Sequence, residues 1–452
     1  TADNYYKVNK EGFDLVSFRI GRKAYPFEQF DAYYNRPDLV LKALKCPDEE
    51  YVALYKNAHE RRLEKLEITD ASTPDFSALP QLKITNRSAI PFSQSEKKVA
   101  FHIKALSEKN PLEKLKITIN NVPVEHHELE GQSAEKTINL ELIKGTNKVN
   151  VYAVNTKGEE SLAESITIHC SRSDKPDLYL VTVGTSNYAD DRFDLNYAAK
   201  DAQDLTALYN NYDNGRFNEI HTYNITNKEV KKEKFQAVKE FLRATNRNDQ
   251  VIFYIAGHGV LDENFAYYYG THDMDFLAPQ KRGLSYDKLE EVLSGIASAK
   301  KLLIMDTCHS GEVDEDEVTV VEEDEGDDDL AFNDVTFRAV GPKLREGSDT
   351  RASAGKMARL LFADIRKGTG ATVISSAGGV EFAMEGDDWK NGLFTYSLLN
   401  GITNQTADLN DDGVIMVSEL QNYLIEKVGK LSHGKQVPTT RVQNIRLDYP
   451  VW

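Results

Sequence analysis

Cysteine is scarce: three residues, Cys46, Cys170 and Cys308, are all the thiols in 452 positions. They are far apart, odd in number and without metal-type spacing, which argues against a disulfide framework and a zinc site and fits a reducing compartment. Long apolar runs are missing as well. No stretch of about 18 apolar residues exists to cross a bilayer, so a membrane-spanning helix is excluded. An excess of positive charge is also lacking. Against 55 Lys and Arg stand 72 Asp and Glu, a formal net charge of −17, and such a chain does not bind nucleic acid or anionic lipid nonspecifically. No basic-then-apolar leader opens the sequence, yet Thr1 is not an initiator, so loss of a leader or of a whole upstream region is expected. The cytoplasm is the provisional location.

What is present divides into three textures, as a length beyond one ordinary core suggests. Residues 1–73 combine short strand-like pieces ("FDLVSFRI") with "RPDLVLKALKCPDEEYVALYKNAHERRLEKLEI", where apolar residues recur every three to four positions behind Pro37, the pattern of one or two helices. From 82 to 171, short alternating runs ("KVAFHIKAL", "KLKITIN", "TINLELI", "KVNVYAV") are separated by polar turns, which predicts a small immunoglobulin-like β-sandwich. From 176 to 452, strands such as "DLYLVTVG", "VIFYIAGHG" and "KLLIMDTC" alternate with amphipathic helices. That alternation predicts an α/β domain, a mainly parallel sheet flanked by helices, with its site off the carboxyl ends of the strands. One insertion stands apart. Residues 311–370 show no strong strand pattern and open on a run, 312–329, of twelve acids and no base, the composition of a solvated linker rather than of core.

Two strands end in reactive side chains, His258 after "YIAG" and Cys308 after "IMDT". Each alone reads as a turn histidine or a small core cysteine. Together, 50 residues apart, they have nearly the His-to-Cys spacing of caspases. With "YAAKDAQDL" after the first strand and "GLFTYSLL" late in the chain, the sequence resembles the caspase/metacaspase superfamily of cysteine proteases over 176–452, and is closest to bacterial caspase-like proteins. The order of "YYNRPDLVL", a sandwich-like segment and this domain is similar to proteins carrying WD-type repeats upstream, which implies an upstream sensor or repeat domain.

The resemblance implies a Cys308 nucleophile, a His258 acid–base partner, and an oxyanion site from the N–H groups of Gly259 and Cys308. No third triad member is evident. Asp201 and Asp306 match positions that line an acidic S1 pocket in metacaspases, so protein or peptide substrates with Arg or Lys at P1, the residue before the cut bond, are expected. Ala256 departs from the serine usual there. A second motif, "DLNDDGVIMVSE", places Asp408, Asn410, Asp412, Val414 and Glu419 at calcium-loop positions, although Met416 is a poor ninth residue. Calcium is therefore the one cofactor anticipated, with no organic cofactor. The bases of 338–359, Arg338, Lys343, Arg345, Arg351, Lys356 and Arg359, offer sites for self-processing. The rival readings are a different Cys/His hydrolase, a catalytically idle scaffold and a calcium-responsive interaction protein.

Overall fold

Helices form where the apolar spacing of three to four residues is sustained, and residues 28–65 sustain it. The computed structural model describes residues 4–7, 17–65, 68, 74–211, 215–262, 266–307, 335–337, 369–377, 383–442 and 447–452. These fall in two compact units divided after Asp174, residues 369–370 counting with the first. The first unit begins with a hairpin of β1 (Ser17–Ile20) and β2 (Lys23–Pro26), followed by α1 (Glu28–Tyr34), α2 (Pro37–Ala43) and α3 (Glu49–Lys65). Pro37 opens α2, where no N–H is needed. An aromatic core holds this part, with Phe30 edge-on to both Phe18 (5.4 Å) and Phe76 (5.1 Å). Asp31 lies inside it, bound by Arg62 at 2.7 Å and by the Tyr6 hydroxyl at 3.0 Å. Burial nonetheless pushes its carboxyl above the usual range.

The alternating runs are strands: β3 (Gln81–Ile84), β4 (Ser93–Gln94), β5 (Lys98–Leu106), β6 (Leu112–Ile119), β7 (Val122–Glu128), β8 (Ser133–Glu141), β9 (Gly145–Asn155) and β10 (Glu164–Cys170). They make two sheets, β3-β5-β8 and β4-β10-β9-β6-β7. On β5 every second residue, Val99, Phe101, Ile103 and Ala105, is buried while its neighbours face outward, which is what a period of two on a half-buried sheet requires. Leu115, Ile117, Val149, Val151 and Ala153 of the larger sheet are buried as well.

The second unit is built on continuous apolar runs. Its strands are β11 (Leu178–Gly184), β12 (Ile220–Thr226), β13 (Gln250–Ala256), β14 (Gly259–Leu261), β15 (Tyr267–Tyr269), β16 (Leu284–Ser285), β17 (Lys300–Asp306), β18 (Val335–Phe337), β19 (Thr372–Ser375), β20 (Met384–Gly386), β21 (Asn391–Gly392) and β22 (Thr439–Val442). Its helices are α4 (Ala198–Asn210), α5 (Lys234–Leu242), α6 (Tyr286–Leu293), α7 (Leu393–Thr403) and α8 (Val417–Leu431). The large sheet has the order β12-β11-β13-β17-β19-β22, parallel except for its β19–β22 pair. Every residue of β11 and of β13 is buried, so both faces need cover. Ile252, Tyr254, Ile304, Leu205, Leu398 and Leu424 join in the core on the α4, α7 and α8 side. On the opposite face Phe253 meets Phe235 of α5.

The alternating strand–helix reading of 176–452 holds in these elements, but the small strands around the large sheet have no counterpart in it. β14-β15-β16 and β18-β20-β21 form two further sheets. The second includes β18, which lies inside residues 311–370 and pairs with β20. Most of the remaining insertion, including the acidic run, lies outside the described residues. Gly184 explains how α4 can start so close to the sheet. A Cβ there would stand 2.3 Å from the Ala198 carbonyl oxygen, so only glycine admits the approach.

Candidate active site at the ends of β13 and β17

β13 and β17 are neighbours in parallel register, with Ala256 opposite Asp306. His258 therefore leaves its strand two residues beyond the same rung from which the sequence reaches Cys308. The adjacency expected of the two strands is present, whereas Cys308 and His309 lie outside the described residues. His258 is 4% exposed, and its Nε2 lies 2.8 Å from the carbonyl oxygen of Phe193. A carbonyl can only accept, so Nε2 carries the proton and Nδ1 is the basic nitrogen of the neutral ring. The backbone N–H of His258 donates to the Tyr188 hydroxyl at 3.0 Å, and the Tyr188 ring packs on the imidazole at 5.2 Å. The orienting group that sequence did not supply is thus a main-chain carbonyl at the end of a short turn, Asp191–Phe193.

Glycines flank the imidazole for separate reasons. Gly257 has a φ of +146°, and a Cβ on it would come within 3.0 Å of the Tyr188 hydroxyl and 3.2 Å of the Tyr269 ring. Gly259 opens β14 opposite Tyr269, one residue after His258 accepts a hydrogen bond from Gly270 N–H at 2.8 Å. Bonded and non-bonded pairs alternate along an antiparallel ladder, so the Gly259 N–H is directed away from β15. Next to the thiol position, Thr307 is buried. Its hydroxyl meets the Tyr267 hydroxyl at 2.8 Å and its carbonyl accepts from the Ser376 hydroxyl at 3.2 Å.

Both acids proposed for the pocket are fully buried, and both engage the first turn of α7. Asp201 accepts from Gly392 N–H at 3.1 and 3.2 Å and from the Asn391 side-chain amide at 2.8 Å. Asp306 accepts from the Thr395 hydroxyl at 2.6 Å, and Tyr254 meets that same hydroxyl at 2.5 Å. These donors are neutral and orient the two carboxyl groups, and the positive end of the α7 dipole favours negative charge there. Ala256 stands beside Asp306 on the sheet and has no hydroxyl to offer. Thr395 supplies one from the helix side. A third buried carboxylate, Glu385 of β20, was not singled out from sequence; it accepts from the N–H groups of Asn196 (2.7 Å) and Tyr197 (3.3 Å) at the entry to α4.

Residues 179–449 match the caspase-domain family. The chain belongs to that family. Among solved structures, protein GSU0716 from Geobacter sulfurreducens aligns over 59% of this chain and 93% of its own, with 18% identity and a TM-score of 0.38. The fibronectin(III)-like modules of Clostridium thermocellum CbhA align over 21% of this chain and 48% of theirs, with 13% identity and a TM-score of 0.17. A comparison with curated proteins returned no match. Among the described residues no helix is long and apolar enough to cross a membrane.

Within the caspase domain the 408–419 loop is used locally. Asp408 accepts from the N–H groups of Asp412 (3.2 Å) and Gly413 (2.8 Å), Asn410 accepts from Asp412 N–H (2.9 Å), and Asp412 accepts from Val414 N–H (2.9 Å). Glu419 turns back to Met416 N–H at 2.9 Å and caps α8. Among the described residues no group of three or more His, Cys, Asp or Glu side chains is arranged to hold a metal.

Proposed function

We propose that the protein is a cysteine endopeptidase that cuts protein or peptide chains after Arg or Lys. What supports this reading is an oriented His258 just past β13, the strand paired with the one that ends at Asp306, together with two buried carboxylates, Asp201 and Asp306, that share one helix N-terminus. Nδ1 of His258 takes the Cys308 thiol proton, and the thiolate adds to the carbonyl carbon of the P1 residue. The N–H groups of Gly259 and Cys308 hold the oxyanion. His258 then returns the proton to the leaving amine, and water hydrolyses the thioester. Asp201 and Asp306 take the P1 cation, which a pocket lined by two carboxylates prefers over an anion.

A peptidyl-Arg electrophile tests the chemistry before any turnover is required. Wild type should gain one adduct mass, Cys308→Ala none, and His258→Ala should react at least tenfold more slowly. Equal labelling of wild type and Cys308→Ala would contradict the assignment. An idle scaffold is disfavoured by the retained His258 and its orienting carbonyl.

We propose further that the loop at 408–419 takes calcium weakly, because binding requires Glu419 to leave its cap and the Asp408 and Asp412 carboxylates to leave local amides. The two-sheet part of the first unit we read as immunoglobulin-like. With the leading segment, it serves to recognise partners or to position the peptidase beneath an upstream sensor or repeat domain.

A further inference from the structure

Two loops of the second unit meet at His258, and each brings a phenyl ring. Phe193 lies between β11 and α4, Phe276 between β15 and β16. The two rings stack with centroids 3.9 Å apart and planes inclined by 20°. Both stand edge-on to the imidazole, Phe193 at 6.4 Å and Phe276 at 5.6 Å, and both are only half-buried. The residue after Phe276 is Leu277, which at 97% exposure is the most open large apolar side chain among the described residues.

The loop that carries this leucine is bonded to itself and to its neighbour. Leu277 N–H donates to the Asp275 carboxylate at 3.0 Å, Ala278 N–H to the Asp275 carbonyl at 2.9 Å, and Gly283 N–H to the Pro279 carbonyl at 2.8 Å. Toward the other loop, Ala189 N–H donates to the His272 carbonyl at 2.7 Å. The His272 ring donates from Nδ1 to the Asn187 carbonyl, also at 2.7 Å. Charges beside the rings are paired: Arg192, whose guanidinium lies 5.8 Å from the Phe193 ring, with Asp190 at 2.5 Å, and Lys281 with Asp275 at 3.5 Å. What remains is an apolar shelf against the imidazole, fixed by main-chain bonds and open to a ligand.

The chemistry of His258 names the occupant. His258 protonates the leaving amine, and that nitrogen belongs to P1′, the residue after the cut bond. Proton transfer brings the nitrogen within about 3 Å of the imidazole, and the P1′ Cα is only about 1.5 Å beyond it. The P1′ side chain therefore starts beside the ring that Phe193 and Phe276 border, while the P1 side chain goes to Asp201 and Asp306. We infer that Phe193, Phe276 and Leu277 form the P1′ subsite, and that the preferred substrates carry a large apolar residue, such as Leu, Met or Phe, directly after the basic one. This rests on the reading of the site as a basic-P1 cysteine peptidase. Phe193 then acts twice, its carbonyl holding Nε2 of His258 and its ring receiving the substrate.

Internally quenched peptides with Arg at P1, identical except for Leu, Gly or Asp at P1′, test this through kcat/KM, which covers the step that expels the amine. Wild type should favour Leu over Gly by about tenfold and over Asp by more, the scale on which an apolar pocket discriminates. Phe276→Ala should bring the Leu-to-Gly ratio to about one, and Phe276→Tyr, which keeps the ring, should restore it. Leu277→Ser changes an exposed side chain on which folding does not depend, and it should lower the ratio by about threefold. Equal rates on the three peptides overturn the inference and leave the peptidase reading standing. So does a Leu preference that survives in both Phe276→Ala and Leu277→Ser, or a loss in Phe276→Ala that is the same for every peptide. A wild-type protein that turns over no Arg or Lys peptide overturns the peptidase reading itself, and the inference falls with it.

Discussion

Lys301 is 2% exposed near the start of β17, and burial, with Arg247 nearby, pulls its ammonium down to about 7. The folded chain then binds fewer protons than the unfolded one between about pH 7 and the ordinary lysine value. Stability must therefore rise with pH across that window and stop changing through this group below it. Wild type should gain roughly 1 kcal/mol per pH unit from 7.5 to 9, measured by urea unfolding. Lys301→Met should be more stable at pH 7 and lack that slope; parallel curves for the two proteins would refute the account of Lys301. Asp201 carries a different prediction. Truncating one partner of a desolvated charge pair costs about 2–5 kcal/mol, so Asp201→Asn should lower kcat/KM for a P1-Arg peptide by about 100-fold, with the adduct reaction of Cys308 toward a small neutral electrophile much less affected. The elements that carry His258, Asp201 and Asp306 were legible because each belongs to or adjoins a recognisable strand or helix run. Phe193 was not, since it acts through its carbonyl and any residue has one. Glu385 was hidden for another reason: its partners, Asn196 and Tyr197, are nearly 190 residues away in sequence.

At the scale of elements, length decided what could be read. β11, β13 and β17 are seven-residue strands built around apolar runs, and α4 and α8 show a clear helical period, so sequence placed all five. β14, β15, β18, β20 and β21 are two or three residues each, too short for any period to register. Their pairing comes from the tertiary fold. The 408–419 loop illustrates the converse, a motif legible in full whose side chains serve the backbone. Calorimetric titration should give a calcium dissociation constant no tighter than about 10⁻⁴ M, the weak end for such loops, and Asp408→Ala should abolish the heat. Submicromolar binding would contradict the proposed role of Glu419 as a cap that calcium must displace.

For the whole molecule, residues 312–329 carry twelve of the acids behind the net charge of −17, and residues 179–449 carry the family match. The twelve acids of 312–329 precede β18, the only strand described in residues 308–368. The first unit contributes no residue to this account of catalysis. The central claim, a Cys308 peptidase with an acidic S1 pocket, is tested most directly by initial rates on fluorogenic peptides that differ only at P1, comparing wild type with Cys308→Ala. Turnover of the Arg and Lys peptides, at least 100-fold above the Asp peptide and absent in Cys308→Ala, is the predicted result. Preference for Asp, or turnover that survives the loss of Cys308, would contradict it.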